Sequence, residues 1–168
     1  MRIAYRNLIP ELDPTVYVAE GAKLVGDVKI GADSSIWYNA VLRGDLAPVI
    51  IGERCNIQDG VVGHVADSLP LILGSGVSVG HSAIIHGCRI GSGTLIGMGA
   101  IVLNGAEIGE YALVGAGSLV TERSKIPPYT LSLGTPAKVV RELTEQDLER
   151  MSRTAESYIV KGKEYGSF

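Results

Sequence analysis

The chain of 168 residues has one phenylalanine and one tryptophan, and aromatic residues make up only 5% of it. Helical bundles and β-sandwiches fill broad cores with rings. An interior drawn here from valine, isoleucine, leucine and alanine has to be narrow. Cysteine is scarce as well, and Cys55 and Cys88 do not make a disulfide framework. No apolar run reaches the ~18 residues of a membrane span. The opening MRIAYRNLIPELD lacks the apolar core of a secretory leader. The expectation is a cytoplasmic protein without a membrane segment. There is no basic stripe, the net charge is −3 and the pI is about 5.6, which argues against a nucleic-acid partner. Glycine, with 22 residues, and small or branched apolar residues are what the chain has in excess.

Those residues recur with a fixed period. From Ile90 the chain reads IGSGTL, IGMGAI, VLNGAE, IGEYAL, VGAGSL, V. A branched apolar residue falls at 90, 96, 102, 108, 114 and 120, and glycine follows it at 91, 97, 109 and 115. A small residue precedes it by two at Cys88, Thr94, Ala100, Ala106, Ala112 and Ser118. The same period appears earlier at Val18, Leu24, Ile30, Ile36 and Leu42, then at Ile51 and Ile57, then at Leu73, Val79 and Ile85. Six residues make one short strand and a tight corner, and strand alternation sends the branched and the small residue to the same side. Three such units close a triangular prism of about eighteen residues per coil. The fold class is therefore all-β, a parallel β-helix of hexapeptide repeats, in whose axis a ring would not fit. Cys55 and Cys88 precede Ile57 and Ile90 by two, so both thiols face the core.

One domain over 1–168 is expected, with coils at 15–121 and a short loop, VADSLPL, pushed out at 65–71. Pro127 and Pro128 end the period. SLGTPAKVVREL lies in an extended connector at 122–143, and a helix follows at 144–162, capped by Thr144 with Asp147 in the capping-box position. Open coil ends and branched outer faces call for association with further copies, and three-fold packing of prisms is closed and symmetric.

The three histidines, His64, His81 and His86, fall in one window of 23 residues. Two breaks in the period adjoin them. Between Ile85 and Ile90 the step is five, and after Ile57 the frame resumes only at Leu73. His64 and His86 hold equivalent places and should share an outer face. His81 follows Val79 by two and begins another face, turned by about 120° in a triangular prism. One chain then cannot bring all three to one ion, and the spacing predicts a site between copies, with two histidines from one chain and the third from its neighbour. Three imidazoles with an open position suit catalytic zinc, and cobalt or ferrous iron accept the same ligands.

The motifs RGD at 43–45, NIQDG at 56–60, His64, VGHSAIIHGCRIG and IGMGAIV together resemble the gamma-class carbonic anhydrases, in particular their short bacterial carbonic anhydrase/acetyltransferase-like or ferripyochelin-binding relatives. That resemblance covers nearly the whole chain and implies a left-handed β-helix, a homotrimer and metal sites at its subunit interfaces. It implies His64, His81 and His86 as ligands, Gln58 and Asn56 as site-lining catalytic residues, Arg43 and Asp45 paired between subunits, Asp59 supporting the interface, and Tyr158 as a site tyrosine. The implied reaction is reversible hydration of carbon dioxide to bicarbonate by metal-bound hydroxide, generated because the ion brings the pKa of its water to about 7. Two acids of the well-characterised archaeal members are missing: Leu46 follows RGD where they carry glutamate, and the loop offers only Asp67. Weak activity is the expectation. The alternatives are a hexapeptide-repeat acyl(acetyl)transferase, in which one histidine suffices as general base, and a non-catalytic metal-binding trimer.

Overall fold

The six-residue period folds into coil. In the computed structural model, which describes residues 1–166, short strands stack in parallel on three faces. One face carries Tyr17–Val18, Ser35–Ile36, Asn56–Ile57, Ser78–Val79, Leu95–Ile96, Leu113–Val114 and Thr130–Leu133 in order. A second stacks 41–43, Val62–His64, Ile84–His86, Ile101–Val102 and Leu119–Val120. The third stacks 49–51, Leu71–Leu73, Arg89–Ile90, Glu107–Ile108 and Lys125–Ile126. The long strands Lys23–Ile30 and Val41–Ile51 run round a corner and serve the last two faces.

The axis is filled as the alternation requires. Leu24, Ile36, Leu42, Ile57, Val79, Ile85, Ile96, Val102 and Val114 are wholly buried, and so are the small partners Ala40, Ala83, Ala100, Ala106 and Ala112. Cys55 and Cys88 are buried among them. Burial pushes the Cys55 thiol up to about 11 and the Cys88 thiol up to about 12. Inward hydroxyls find partners at the corners: Thr94 donates to the Gly109 carbonyl at 2.8 Å and Ser34 to the Gly52 carbonyl at 2.9 Å. Gly63 takes the axial place at which the apolar period lapses. A Cβ there would lie 2.5 Å from Leu42 Cδ2 and 3.0 Å from Leu71 Cδ2, so those two leucines occupy its share of the axis.

The coil is longer than the period suggests at both ends. Strand pairing begins at Arg2–Ile3 and reaches Thr130–Leu133, beyond the 15–121 read from the repeat. Near the start, Arg2–Ile3 and Glu11–Leu12 both pair with Lys23–Ile30, and the reversal between Tyr5 and Leu8 separates them by more than one hexapeptide. At the far end Ile126 is still axial, and Pro127 and Pro128 sit in the corner after its strand, where the ladder needs no N–H. The axial place of the last coil goes to Ser132, in register with Val114, which hides that coil from an apolar count. The connector expected at 122–143 is largely β-structure: Lys138–Glu142 returns antiparallel to Thr130–Leu133.

Helix α1, Glu145–Tyr165, starts one residue later and ends three residues later than expected. Its capping box joins Thr144 and Asp147. It lies along the face of Tyr17, Ser35 and Asn56 and buries Met151, Ile159 and Gly162. The tryptophan and four of the tyrosines gather at this seam. Trp37 packs against Tyr17, Tyr158 and Tyr165 with centroids 5.3–5.4 Å apart, and Lys163 pairs with Asp33 at 3.0 Å. Rings too wide for the axis therefore tie the helix to the outside of the prism. None of the described helices is long and apolar enough to cross a membrane.

Candidate metal centre

Parallel register sets the first half of the site. His86 stands directly beside His64 on the following coil, and Arg43 is in register with His64 on the preceding one. The three side chains follow the inward residues Ile85, Gly63 and Leu42, so strand alternation turns them outward. His64 Nδ1 and His86 Nε2 lie 3.0 Å apart. On its far side His64 Nε2 meets Asp45 Oδ1 at 2.9 Å, while His86 Nδ1 meets Asn104 Oδ1 at 2.6 Å. Arg43 forms an ion pair with Asp45. Within the chain this pair forms because residues two apart on a strand share a side. Burial alone would raise the Asp45 carboxyl, but hydrogen bonds from His64 and Arg43 outweigh it and hold the group below the usual carboxylate range.

The second half lies at another corner. His81 sits in the turn from Gly80 to Ala83, which follows Ser78–Val79 on the helix-covered face. Its side chain is 44% exposed, and its Nδ1 is 2.9 Å from Asp59 Oδ2. Beside it a cavity of about 340 Å³ lies between the coil and α1. Leu95, Met98 and Leu113 give it an apolar wall. Arg150, Thr154 and Tyr158, four residues apart on one side of the helix, form another. Gln58 opens into the same cavity and donates to Asn56 Oδ1 at 2.9 Å, and Asn56 donates to Ser78 Oγ at 2.7 Å. Asn56 was expected to line the site. It lies behind Gln58, 1% exposed, and holds it. Burial raises the Tyr158 phenol above its ordinary value, and the nearby Asp59 charge adds to this, so the hydroxyl stays protonated.

His64, His86, Arg43 and Asp45 are thus gathered at one place, and His81, Asp59, Gln58 and Tyr158 at another. Among the described residues no group of three or more His, Cys, Asp or Glu side chains in one chain could hold a metal ion. Asn104 and Glu122 were not anticipated. Asn104 Nδ2 lies 3.5 Å from Glu122 Oε1, which extends the polar row from His86. Asn104 and Glu122 are eighteen residues apart on coils in register, so the coil length could have pointed to that pair, whereas the seventeen-residue step from Ile84 to Ile101 leaves Asn104 one position off His86.

Residues 87–122 match the family model "Bacterial transferase hexapeptide (six repeats)". A protein of Geobacillus kaustophilus named "Carbonic anhydrase" is 50% identical over 161 residues, covering 96% of this chain and 88% of the relative. The chain belongs to the gamma-class carbonic anhydrase family. "Gamma carbonic anhydrase 2, mitochondrial" of Arabidopsis thaliana, a longer member, is 44% identical over 89% of this chain and 56% of its own length. The crystal structure of a Bacillus cereus protein named as a candidate acetyltransferase superposes with a TM-score of 0.98 at 48% identity, covering 99% of this chain and 96% of that one. With the repeat family and this superposition the coil is the left-handed β-helix that the resemblance implied.

Proposed function

We propose that this family member is a lyase that hydrates carbon dioxide reversibly to bicarbonate, at metal sites shared between the copies of a homotrimer. One observation carries the proposal: the facing nitrogens of His64 and His86 are 3.0 Å apart. Two imidazoles bound to one tetrahedral zinc, with bonds of about 2.0–2.1 Å, keep their nitrogens about 3.3 Å apart. The donor set thus suits zinc, and cobalt or ferrous iron as alternatives. His81, on another corner, completes the set from a neighbouring chain. The face around His64 supports that association. Val41, Val62, Ile84, Ile101 and Leu119 form an outward apolar column in register, with Val62 and Ile84 in the open, and a second copy is its fitting cover.

A bound divalent ion supplies Lewis acidity, bringing the pKa of water towards neutrality. Around it the chain's own groups orient the reactants. Gln58 gives an amide N–H to Asn56 and keeps its carbonyl free to accept from a hydroxyl-bearing oxygen. The Tyr158 phenol is a donor on the opposite wall, and Leu95, Met98 and Leu113 offer apolar surface that suits carbon dioxide. Among the described residues that line this cavity none is a carboxylate, Asp59 standing behind His81, so proton export is slow and the activity modest. Stopped-flow hydration with metal-loaded protein tests the proposal. Catalysis above buffer that disappears in His81→Ala supports it, and equal rates for the two proteins refute it, leaving a non-catalytic metal-binding trimer.

The His81–Asp59 pair also has the form of a general base with its orienting carboxylate, which favours acyl transfer as the second reading. Metal content separates the two: about one ion per chain points to the hydratase, whereas acetyl-CoA binding without metal points to the transferase.

A further inference from the structure

We infer that Asn104 is a positioning residue that holds His86 in the tautomer a metal ion requires, and that the bare backbone of Gly87 at the shortened corner leaves it room to do so. The first part stands on hydrogen-bond geometry, and its link to metal rests on the ligand set proposed above. Asn104 lies between two neighbours of different kinds. The Glu122 carboxylate accepts only, so the amide NH2 is directed to it and the amide carbonyl to His86. A carbonyl likewise only accepts. The proton of neutral His86 therefore sits on Nδ1, and Nε2 carries the lone pair. His64 is set in the opposite sense, since the Asp45 carboxylate accepts from Nε2 and leaves the lone pair on Nδ1. The two nitrogens that face each other across 3.0 Å are thus both acceptors with no proton between them. Two lone pairs at that distance repel, and a cation between them turns the repulsion into coordination. Each imidazole is then fixed by a partner on its far nitrogen, the arrangement that orients histidine ligands in metal sites.

The corner supplies a second, independent observation. Strand register places Leu103 beside His86, because only seventeen residues separate Ile84 from its partner Ile101. Asn104 is consequently one position on, above Gly87, and has to reach back over it. A Cβ on Gly87 would fall 2.7 Å from Asn104 Oδ1 and 3.3 Å from Leu69 Cβ, and Gly87 has φ +52°. Only a residue without a side chain leaves the amide room at this place. The five-residue interval between Ile85 and Ile90 thus sets Asn104 one position past His86, and the bare backbone of Gly87 lets its carbonyl reach back to His86 Nδ1 at 2.6 Å.

The test uses the full-length, metal-free protein labelled with 15N, with the histidine ring nitrogens observed by long-range proton–nitrogen correlation at neutral pH. In the parent protein His86 shows a protonated Nδ1 and an unprotonated Nε2. Asn104→Leu moves His86 to the other tautomer or to a mixture, leaves His81 unchanged, and weakens zinc binding about 10- to 100-fold in a chelator competition. Asn104→Asp keeps an acceptor and retains the Nδ1–H form, which separates positioning from simple packing. His86 signals unchanged in Asn104→Leu would overturn the inference whatever the metal does. A changed tautomer with unchanged zinc affinity would instead remove His86 from the ligand set and overturn the proposed site.

Discussion

A site divided between copies can be rebuilt from two chains that are each defective. His81→Ala removes one half and leaves His64 and His86 with their partners Asp45 and Asn104 intact. A His64→Ala, His86→Ala double variant removes the other half and leaves His81 on Asp59. Neither variant alone assembles a complete ligand set. When the two are refolded together in equal amounts, a site is complete wherever a His81→Ala chain lends its histidine face to a neighbour that still carries His81. With random assembly about one site in four meets that condition, whatever the number of copies in a closed ring. Zinc analysis on the mixed oligomer should therefore give about a quarter of an ion per chain, against about one for the parent protein and almost none for either variant. Hydration activity should recover in the same proportion. The same variants mixed without unfolding, so that chains do not exchange, are the control. A co-refolded mixture that binds no more metal than its components would refute the division of the site and require all ligands to meet within one chain.

Two further outcomes concern stability. The Ser132 hydroxyl is fully buried and has no hydrogen-bond partner among the described residues, unlike Thr94 and Ser34. Ser132→Ala should raise the unfolding free energy measured in denaturant by about 1–3 kcal/mol, the cost of an unsatisfied buried hydroxyl, and a loss of stability would contradict this account. At the helix start, Arg141, then the backbone N–H and hydroxyl of Thr144, hold the Asp147 carboxyl well below the usual carboxylate range. A depressed carboxylate contributes stability that is fully present above its unfolded value near 3.9 and is lost as pH falls through the lower folded value. The difference in melting temperature between the parent and Asp147→Asn should accordingly stay constant from about pH 8 to 5 and close below about pH 4. A difference that grows on acidification would show the opposite sign.

The coil is legible in the sequence because its physics is local. A six-residue alternation of branched and small residues admits few backbones, and the near absence of aromatic residues excludes wider cores. Even the positions of Cys55 and Cys88 followed from the phase. The ends were less legible for equally specific reasons. Ser132 holds an axial place with a polar residue, and the reversal between Tyr5 and Leu8 interrupts the period near the start. Asn56 shows a limit of another sort: its type and spacing suggest a site residue, but α1 covers its face and leaves only Gln58 in the cavity.

The sequence by itself determined a narrow coil, two equivalent outward histidines and a third in a different place, because periodicity converts position along the chain into direction in space. Only the tertiary structure decided what the rings touch. Asp45 reaches across to His64 on the next coil, Asn104 reaches His86 over the bare backbone of Gly87, and Gln58, His81 and Tyr158 meet because α1 closes over their face. These contacts join separate coils, or coil and helix, and depend on side-chain direction at corners, which a six-residue period does not encode.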